Sequence, residues 1–426
     1  MPTNTNTISQ QRNSYVFPMI IIGSLFFIFG FVTWLNSVLI PFLQQACELN
    51  DFQAYLVTFA FYISYFVMAI PASGILNRTG FTKGMSIGLG IMAIGSLIFI
   101  PAAMTRSYIL FLVGLFAQGS GLTLLQTASN PYVTVLGPIE SAAKRISIMG
   151  VCNKVAGMLG IVILVETLFS DTKELSAKIA TLSGAELETE LDLLAQRVIV
   201  PYIIITTVLT GLALLVLKAH LPEINPEEDE QTADSATSIA KTSVFQFPHL
   251  VLGVLCIFVY VGVEVLAIDS LALYGVSQGF DLATSGKFGI FSLGALIVGY
   301  FVGVATMPRI MSQKTALAMS ACLGLLFVVL ALLTEGWVSI GFIIILSFAH
   351  AFMWPAIWPL SLHSLGRFTK IASALLIMGI VGGALLPLVY GALADAWDRQ
   401  TAFLVMIPCY LYILFFALKG HKAGRG

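Results

Sequence analysis

Charge is what this chain has least of. Asp, Glu, Lys and Arg make up 10% of its 426 residues, against about 25% in an ordinary soluble domain. With 58% of residues hydrophobic and a mean hydropathy of +0.93, a soluble fold would carry more apolar surface than its charges can screen. Lipid has to cover the rest. A net charge of −1 offers no basic footprint for nucleic acid. The five cysteines (Cys47, Cys152, Cys256, Cys322 and Cys409) are scattered, without CxxC or CxxH spacing. They suggest neither a metal site nor a disulfide framework, and read as small core hydrophobes. P-loop and HExxH motifs are missing, as are paired catalytic aspartates on facing spans. Nothing here points to an enzyme, to ATP-driven transport or to a bound cofactor. No pore-loop repeat of a channel is visible.

What is present is a succession of apolar runs of roughly 20 residues, each long enough to cross a bilayer. They are expected at about 17–44, 54–76, 83–104, 108–136, 145–169, 199–219, 247–275, 284–306, 316–334, 338–365, 370–391 and 400–419. The polar segment Met1–Asn13 shows no cleavable leader, so the first run is expected to persist as a helix. Basic residues gather in the loops on one side (Arg78, Lys83, Lys144, Arg145, Lys314 and Lys370 among them). The other side has few, including Arg106, Arg197 and Arg399. The positive-inside rule then puts both termini in the cytoplasm.

After the sixth run comes an acidic, Ser/Thr/Pro-rich stretch that reads as a flexible linker. It divides the chain into 1–217, a linker at 218–246, and 247–426. The halves echo each other: Asn130-Pro131, Gly137 and Ile148-Met149-Gly150 in the first, Trp354-Pro355, Gly366 and Ile377-Met378-Gly379 in the second. Matching order implies a duplicated six-helix unit with a solute site near the midplane. The expected architecture is all-α: twelve transmembrane helices in two pseudo-symmetric six-helix bundles.

Particular stretches carry a family resemblance. GILNRTGFTK (74–83) resembles the loop signature G-x-L-a-D-r-x-G-r-k of the major facilitator superfamily, departing from it at Asn77. LNSVLIPFLQ (35–44), ASNPYVTVLGP (128–138) and IMGIVGGALLPLVYGALAD (377–395) resemble its fucose/glucose/galactose branch of bacterial sugar:cation symporters. That resemblance implies alternating access and uptake of a sugar with Na+ or H+. Proton-coupled fucose members carry Asp where Ser37 sits and Glu where Gln126 sits. Both carboxylates are missing here, which argues against fucose–proton symport by that route and favours glucose/galactose or an N-acetylhexosamine.

Polar groups inside the spans need a reason, because a charge at the bilayer centre costs at least about 2.5–3.5 kcal/mol. Glu264 lies roughly 25 Å along span 7 and reads either as a coupling-ion carboxylate or as a buried structural acid. Asp269, roughly 33 Å along, is either an interfacial acid or a second coupling carboxylate; aligning Gly30 with Gly262 makes it the repeat partner of Ser37. Lys154 lies roughly 13 Å into span 5. It either snorkels towards the cytoplasm or faces the central cavity, where it binds sugar hydroxyls or acts as a fixed cation near an acid. A good part of the membrane separates its depth from that of Glu264, so no direct salt bridge is expected.

Sugar hydroxyls call for amides and sugar C–H faces for an aromatic plate. Asn36, Gln126, Asn130 and Asn153 are the candidate amides, with Asn130 equally suited to bonding backbone freed by Pro131. His350, Trp354, Trp358 and Ser361 fall on one expected helical stripe, with the tryptophans reading as plate or as core. The expected function is secondary active sugar symport in the bacterial inner membrane. A small sugar and the surrounding lipid would be the partners of a monomer, with no nucleic acid. A fucose-type proton symporter and a drug or peptide exporter are the alternatives.

Overall fold

The computed structural model describes residues 5–135, 142–169, 178–179, 181–219, 243–307, 310–363, 365 and 368–424; side chains at 5–17, 130–131, 134–135, 142–144, 146–147 and 369–370 lie outside the described set. Most of the linker read at 218–246 lies outside it too. The described chain is a bundle of twelve membrane-crossing helices in two groups of six, as the apolar runs imply.

Span 1 comprises Thr5–Trp34 and Asn36–Ala46. Spans 2 and 3 form one hydrogen-bonded run, Leu56–Met104, bent at Gly80, whose φ of 77° only glycine adopts without strain. Spans 4, 5 and 6 are Tyr108–Val135, Ala142–Leu168 and Ile199–Lys218. The loop expected between spans 5 and 6 contains a further helix, Ala185–Gln196, which buries Leu191, Leu194 and Ala195 and exposes Glu186, Glu188 and Asp192.

In the second group, span 7 is Pro248–Asp269 with Leu271–Ser277, span 8 is Phe288–Thr306 and span 9 is Gln313–Leu333. Span 10 is not the single stripe expected from 350, 354, 358 and 361. It breaks into Gly336–His350 and Met353–Leu362, because Pro355 has no N–H for the carbonyl of residue 351 and its ring crowds it. Span 11 passes from Thr369–Met378 through a 3₁₀ turn into Gly382–Ala396, and span 12 follows over Thr401–Val405 and Met406–Leu418.

Close glycine contacts set the crossings that carry the repeat. A Cβ on Gly30 would stand 1.8 Å from the carbonyl oxygen of Asn153, and one on Gly262 would stand 3.0 Å from that of Gly382. Span 1 therefore crosses span 5 as span 7 crosses span 11, backbone against backbone. The pairing of Gly150 with Gly379, carried three residues on, sets Asn153 against Gly382.

Opposite the chain termini, at what we term the far end, the two groups of six are joined by polar bonds. The Arg399 guanidinium donates to both carboxylate oxygens of Asp51, at 2.8 and 2.7 Å, and to the carbonyl of Leu273 at 3.0 Å. Asp395 accepts from the backbone N–H groups of Asp51 and Phe52, each at 2.8 Å. Lys287 pairs with Glu166 at 2.5 Å. Thr401 donates its backbone N–H and hydroxyl to Asp398, which fixes the turn holding Arg399. These same bonds hold the Asp398 carboxyl below its usual range.

Towards the terminal end spans 5 and 8 draw apart, while span 11 stays packed against the helix of spans 2 and 3. Along spans 5 and 8 a Cβ would meet Val165 from Gly286 at 3.1 Å, Ile161 from Gly289 at 3.0 Å and Leu293 from Gly157 at 3.0 Å. On the same helix face, two turns nearer the terminal end, a Cβ on Gly150 would meet nothing within 4 Å.

Candidate functional site

Between the far-end ties and this opening, at mid-depth, polar side chains from both groups meet. Span 5 presents Asn153 and Lys154 where span 1 crosses it at Gly30. The Trp34 indole N–H donates to Asn153 Oδ1 at 3.3 Å, and the Asn153 amide donates to the carbonyl of Phe26 at 3.4 Å. The Lys154 ammonium lies over the Trp34 ring, 4.3 Å from its centroid, where the ring quadrupole attracts a cation. Its Nζ is 3.6 Å from Glu264 Oε1 on span 7.

This contact corrects the depth estimate made from the sequence. Span 5 begins at Ala142 rather than at 145, so Lys154 lies about 18 Å along it, and its long stem spans the remaining difference in depth from Glu264. Lys154 does not snorkel away.

The other oxygen of Glu264 accepts a hydrogen bond from the Tyr260 hydroxyl, one turn earlier on the same helix. The Tyr260 ring leans on Trp354, with centroids 6.3 Å apart, and Trp354 stacks on Trp358 at 5.3 Å with 25° between planes. Trp354 and Trp358 are both half-buried and form a continuous aromatic surface. His350 does not belong to it. Beyond the break in span 10 its Nε2 shares a 2.6 Å bond with the Tyr410 hydroxyl, inside the second group. Ser361 turns back on its own helix to bond the carbonyl of Ile357.

Asp269 is not exposed at an interface: it is 2% exposed and accepts a 3.0 Å bond from Thr58 of span 2. The carboxylate thus sits between the groups. Tyr62, one turn along span 2 from Thr58, lies within the field of both Asp269 and Glu264. It stacks on Tyr65 at 6.0 Å, and Tyr65 hydrogen-bonds Gln126.

Asn36 is buried, and its Nδ2 has no hydrogen-bond partner among the described residues, so an amide donor stands unused close to Trp34. The side chain of Asn130 lies outside the described residues. Of the residues singled out from the sequence, Asn153, Lys154, Glu264 and Trp354 form one chain of contacts. Gln126, through Tyr65, and Asp269, through Thr58, are bonded to span 2, and Tyr62 between them stands in the field of both carboxylates.

Trp34, Tyr260 and Tyr62 were missed. Tyr260 carried a legible signal, four residues before Glu264 and on its face. Trp34 shares its helix face with Gly30 four residues earlier, but only the crossing geometry shows that it faces Asn153.

A fixed ammonium, a carboxylate, free amide capacity and an aromatic surface suit reversible binding of a hydroxylated solute together with a cation. The family model described as Major Facilitator Superfamily matches residues 22–387. A glucose/galactose transporter of Brucella abortus (strain 2308) is 36% identical over 426 residues, covering 99% of this chain and 98% of that protein. An L-fucose-proton symporter of Escherichia coli (strain K12) is 30% identical over 96% of this chain and 94% of its own length. The crystal structure of the transporter FucP in the outward conformation superposes with a TM-score of 0.71 at 29% identity, covering 95% of this chain and 98% of that one.

Proposed function

Because the chain belongs to the major facilitator superfamily, we propose that it is a secondary active symporter that takes up a sugar, a hexose or N-acetylhexosamine, together with Na+ or H+. The observation that carries this reading is the Lys154–Glu264 pair, which joins the two groups of helices at mid-depth beside Asn153, Trp34 and Trp354. A charge pair held only inside one bundle would serve stability. One formed across the line along which the bundles part can be made and broken in each cycle.

Trp354 and Trp358 take the apolar face of the sugar ring, and Asn36, Gln126, Asn130 and Asn153 bond its hydroxyls. Glu264 binds the coupling cation. Once that cation neutralises the carboxylate, the Lys154 ammonium is released to donate to the sugar. Asp269, at the position repeat-related to Ser37, is the second coupling carboxylate. Segments 1–217 and 247–426 rock as two bundles about the linker at 218–246. With the basic loops on the cytoplasmic side, both termini lie in the cytoplasm and the far end faces out from the bacterial inner membrane. The described arrangement is then closed outward and parted inward.

Uptake into proteoliposomes tests this reading, with D-glucose, D-galactose, L-fucose and N-acetyl-D-glucosamine as the panel and Na+ and pH gradients imposed separately. Accumulation above equilibrium under one gradient is expected, and Glu264→Gln should equilibrate the sugar without concentrating it. Full gradient-driven accumulation in that variant would remove Glu264 from coupling.

A further inference from the structure

Glu264 meets its two partners on different terms. Lys154 approaches Oε1 from span 5 of the first bundle, so any separation of the bundles at this depth removes it. The Tyr260 hydroxyl approaches the other oxygen from Glu264's own helix, four residues away, and stays with it in every state that keeps span 7 helical. Tyr260 is also 1% exposed and packed on two further rings, Trp354 at 6.3 Å and His350 at 6.4 Å. Its side chain is therefore a rigid strut, one end on the carboxylate and the ring face on the tryptophan plate.

Resting on the reading of Glu264 as the coupling acid, we propose that Tyr260 is the positioning residue through which sugar on the Trp354 plate and cation at Glu264 sense each other. Its hydroxyl holds the carboxylate rotamer when Lys154 leaves. It donates to the empty carboxylate, and it can turn to offer its oxygen either to a bound Na+ or to the proton of a neutral Glu264. A ring settling on Trp354 bears on Tyr260 and hence on that hydrogen bond, and linkage makes the effect mutual: whatever sugar does to cation affinity, cation does to sugar affinity. The other titratable groups facing this carboxylate are Lys154 of span 5, Tyr62 of span 2, Tyr300 of span 8 and Tyr410 of span 12.

Tyr260→Phe keeps the ring and deletes only the hydroxyl. The test measures half-maximal Na+ concentration and the pH profile for uptake of whichever sugar of the panel above is accumulated, at low and at saturating sugar. In the wild type, saturating sugar should shift the cation dependence. In Tyr260→Phe that shift should vanish, and the cation dependence itself should move by about tenfold, as expected for losing a hydrogen bond to a charged group. The direction identifies the cation. Losing a donor to the carboxylate moves a proton-driven profile to higher pH, whereas losing an oxygen ligand raises the Na+ requirement. Counterflow exchange of the same sugar, which needs no gradient, should persist and shows that the variant is folded. A Tyr260→Phe protein with the wild-type cation dependence and the wild-type sugar-induced shift would overturn the proposal. If Glu264→Gln also accumulates sugar fully, the fault lies in the coupling reading; if Glu264→Gln is uncoupled, it lies with Tyr260 alone.

Discussion

Two helix crossings, span 1 over span 5 and span 7 over span 11, share one backbone arrangement and differ in what hangs from it. Gly30 meets the carbonyl of Asn153 in the first, and Gly262 meets that of Gly382 in the second. Yet Lys154 stands where the second crossing has Gly383, Glu264 stands where the first has Val32, and Asp269 stands where it has Ser37. Duplication supplied matched contacts on which the bundles are built, and the ionisable groups were then placed singly, one per symmetry-related pair. As a result Lys154 and Glu264 meet between the bundles and not within one. A pair inside one bundle would persist through any rocking motion. This one is tied to the position of the bundles.

The comparison can be broken most decisively at its charged members. Lys154→Met leaves Glu264 buried without its partner and should lower unfolding stability by about 3–5 kcal/mol, most of it regained on adding Glu264→Gln. Thermal melts of both single variants and the double variant check this, and a double-variant loss equal to the sum of the two single losses would show that the two groups act independently.

The two far-end ion pairs make a second matched set, each with an acid from the first bundle and a base from the second. Asp51→Asn removes a two-pronged, half-buried carboxylate contact worth about 1.5–3 kcal/mol. Distances between spin labels at positions 186 and 397 should broaden outward in that variant; an unchanged distribution would deny Asp51 a part in holding the far end closed.

At the crossings, Gly30→Ala should cost about 1–3 kcal/mol, since its Cβ would fall 1.8 Å from a backbone oxygen, and Gly262→Ala, at 3.0 Å, should cost less. Melting curves giving the reverse order would mean that the two crossings are not packed as described. The smallest effect belongs to Glu166→Gln. The Glu166–Lys287 pair is exposed, at 58% and 42% for the two side chains, and is worth about 0–1 kcal/mol. Label distances at 186 and 397 in this variant should match the wild type, and an opening as large as that of Asp51→Asn would erase the distinction between the two ties.

The spans and the repeat were legible in the sequence because membrane thickness fixes the length of an apolar run and because Gly30 and Gly262 occur at matching places in their helices. Asn153, Glu264 and Trp354 were legible for a different reason: polar or bulky groups at mid-depth are too costly to leave without purpose. What escaped was mutual position. The Lys154–Glu264 contact depended on where span 5 begins, which loop composition marks only to within a turn. Asp51 and Arg399 are 348 positions apart, and no local pattern announces them. In span 10 the helical period carried His350 onto the tryptophan stripe, although Pro355 interrupts the period at that point.

The tryptophans have one more consequence. Of the five in the chain, Trp34, Trp354 and Trp358 lie in the site, the first beneath an ammonium and the other two stacked on each other. Trp337 and Trp397 lie at the far end, 61% and 59% exposed. Intrinsic ultraviolet emission is therefore divided between a reporting set and a bystander set. On the proposed reading, withdrawal of Lys154 from the Trp34 face, or a sugar laid on Trp354, would alter the first and spare the second. The unlabelled protein can be watched as it loads.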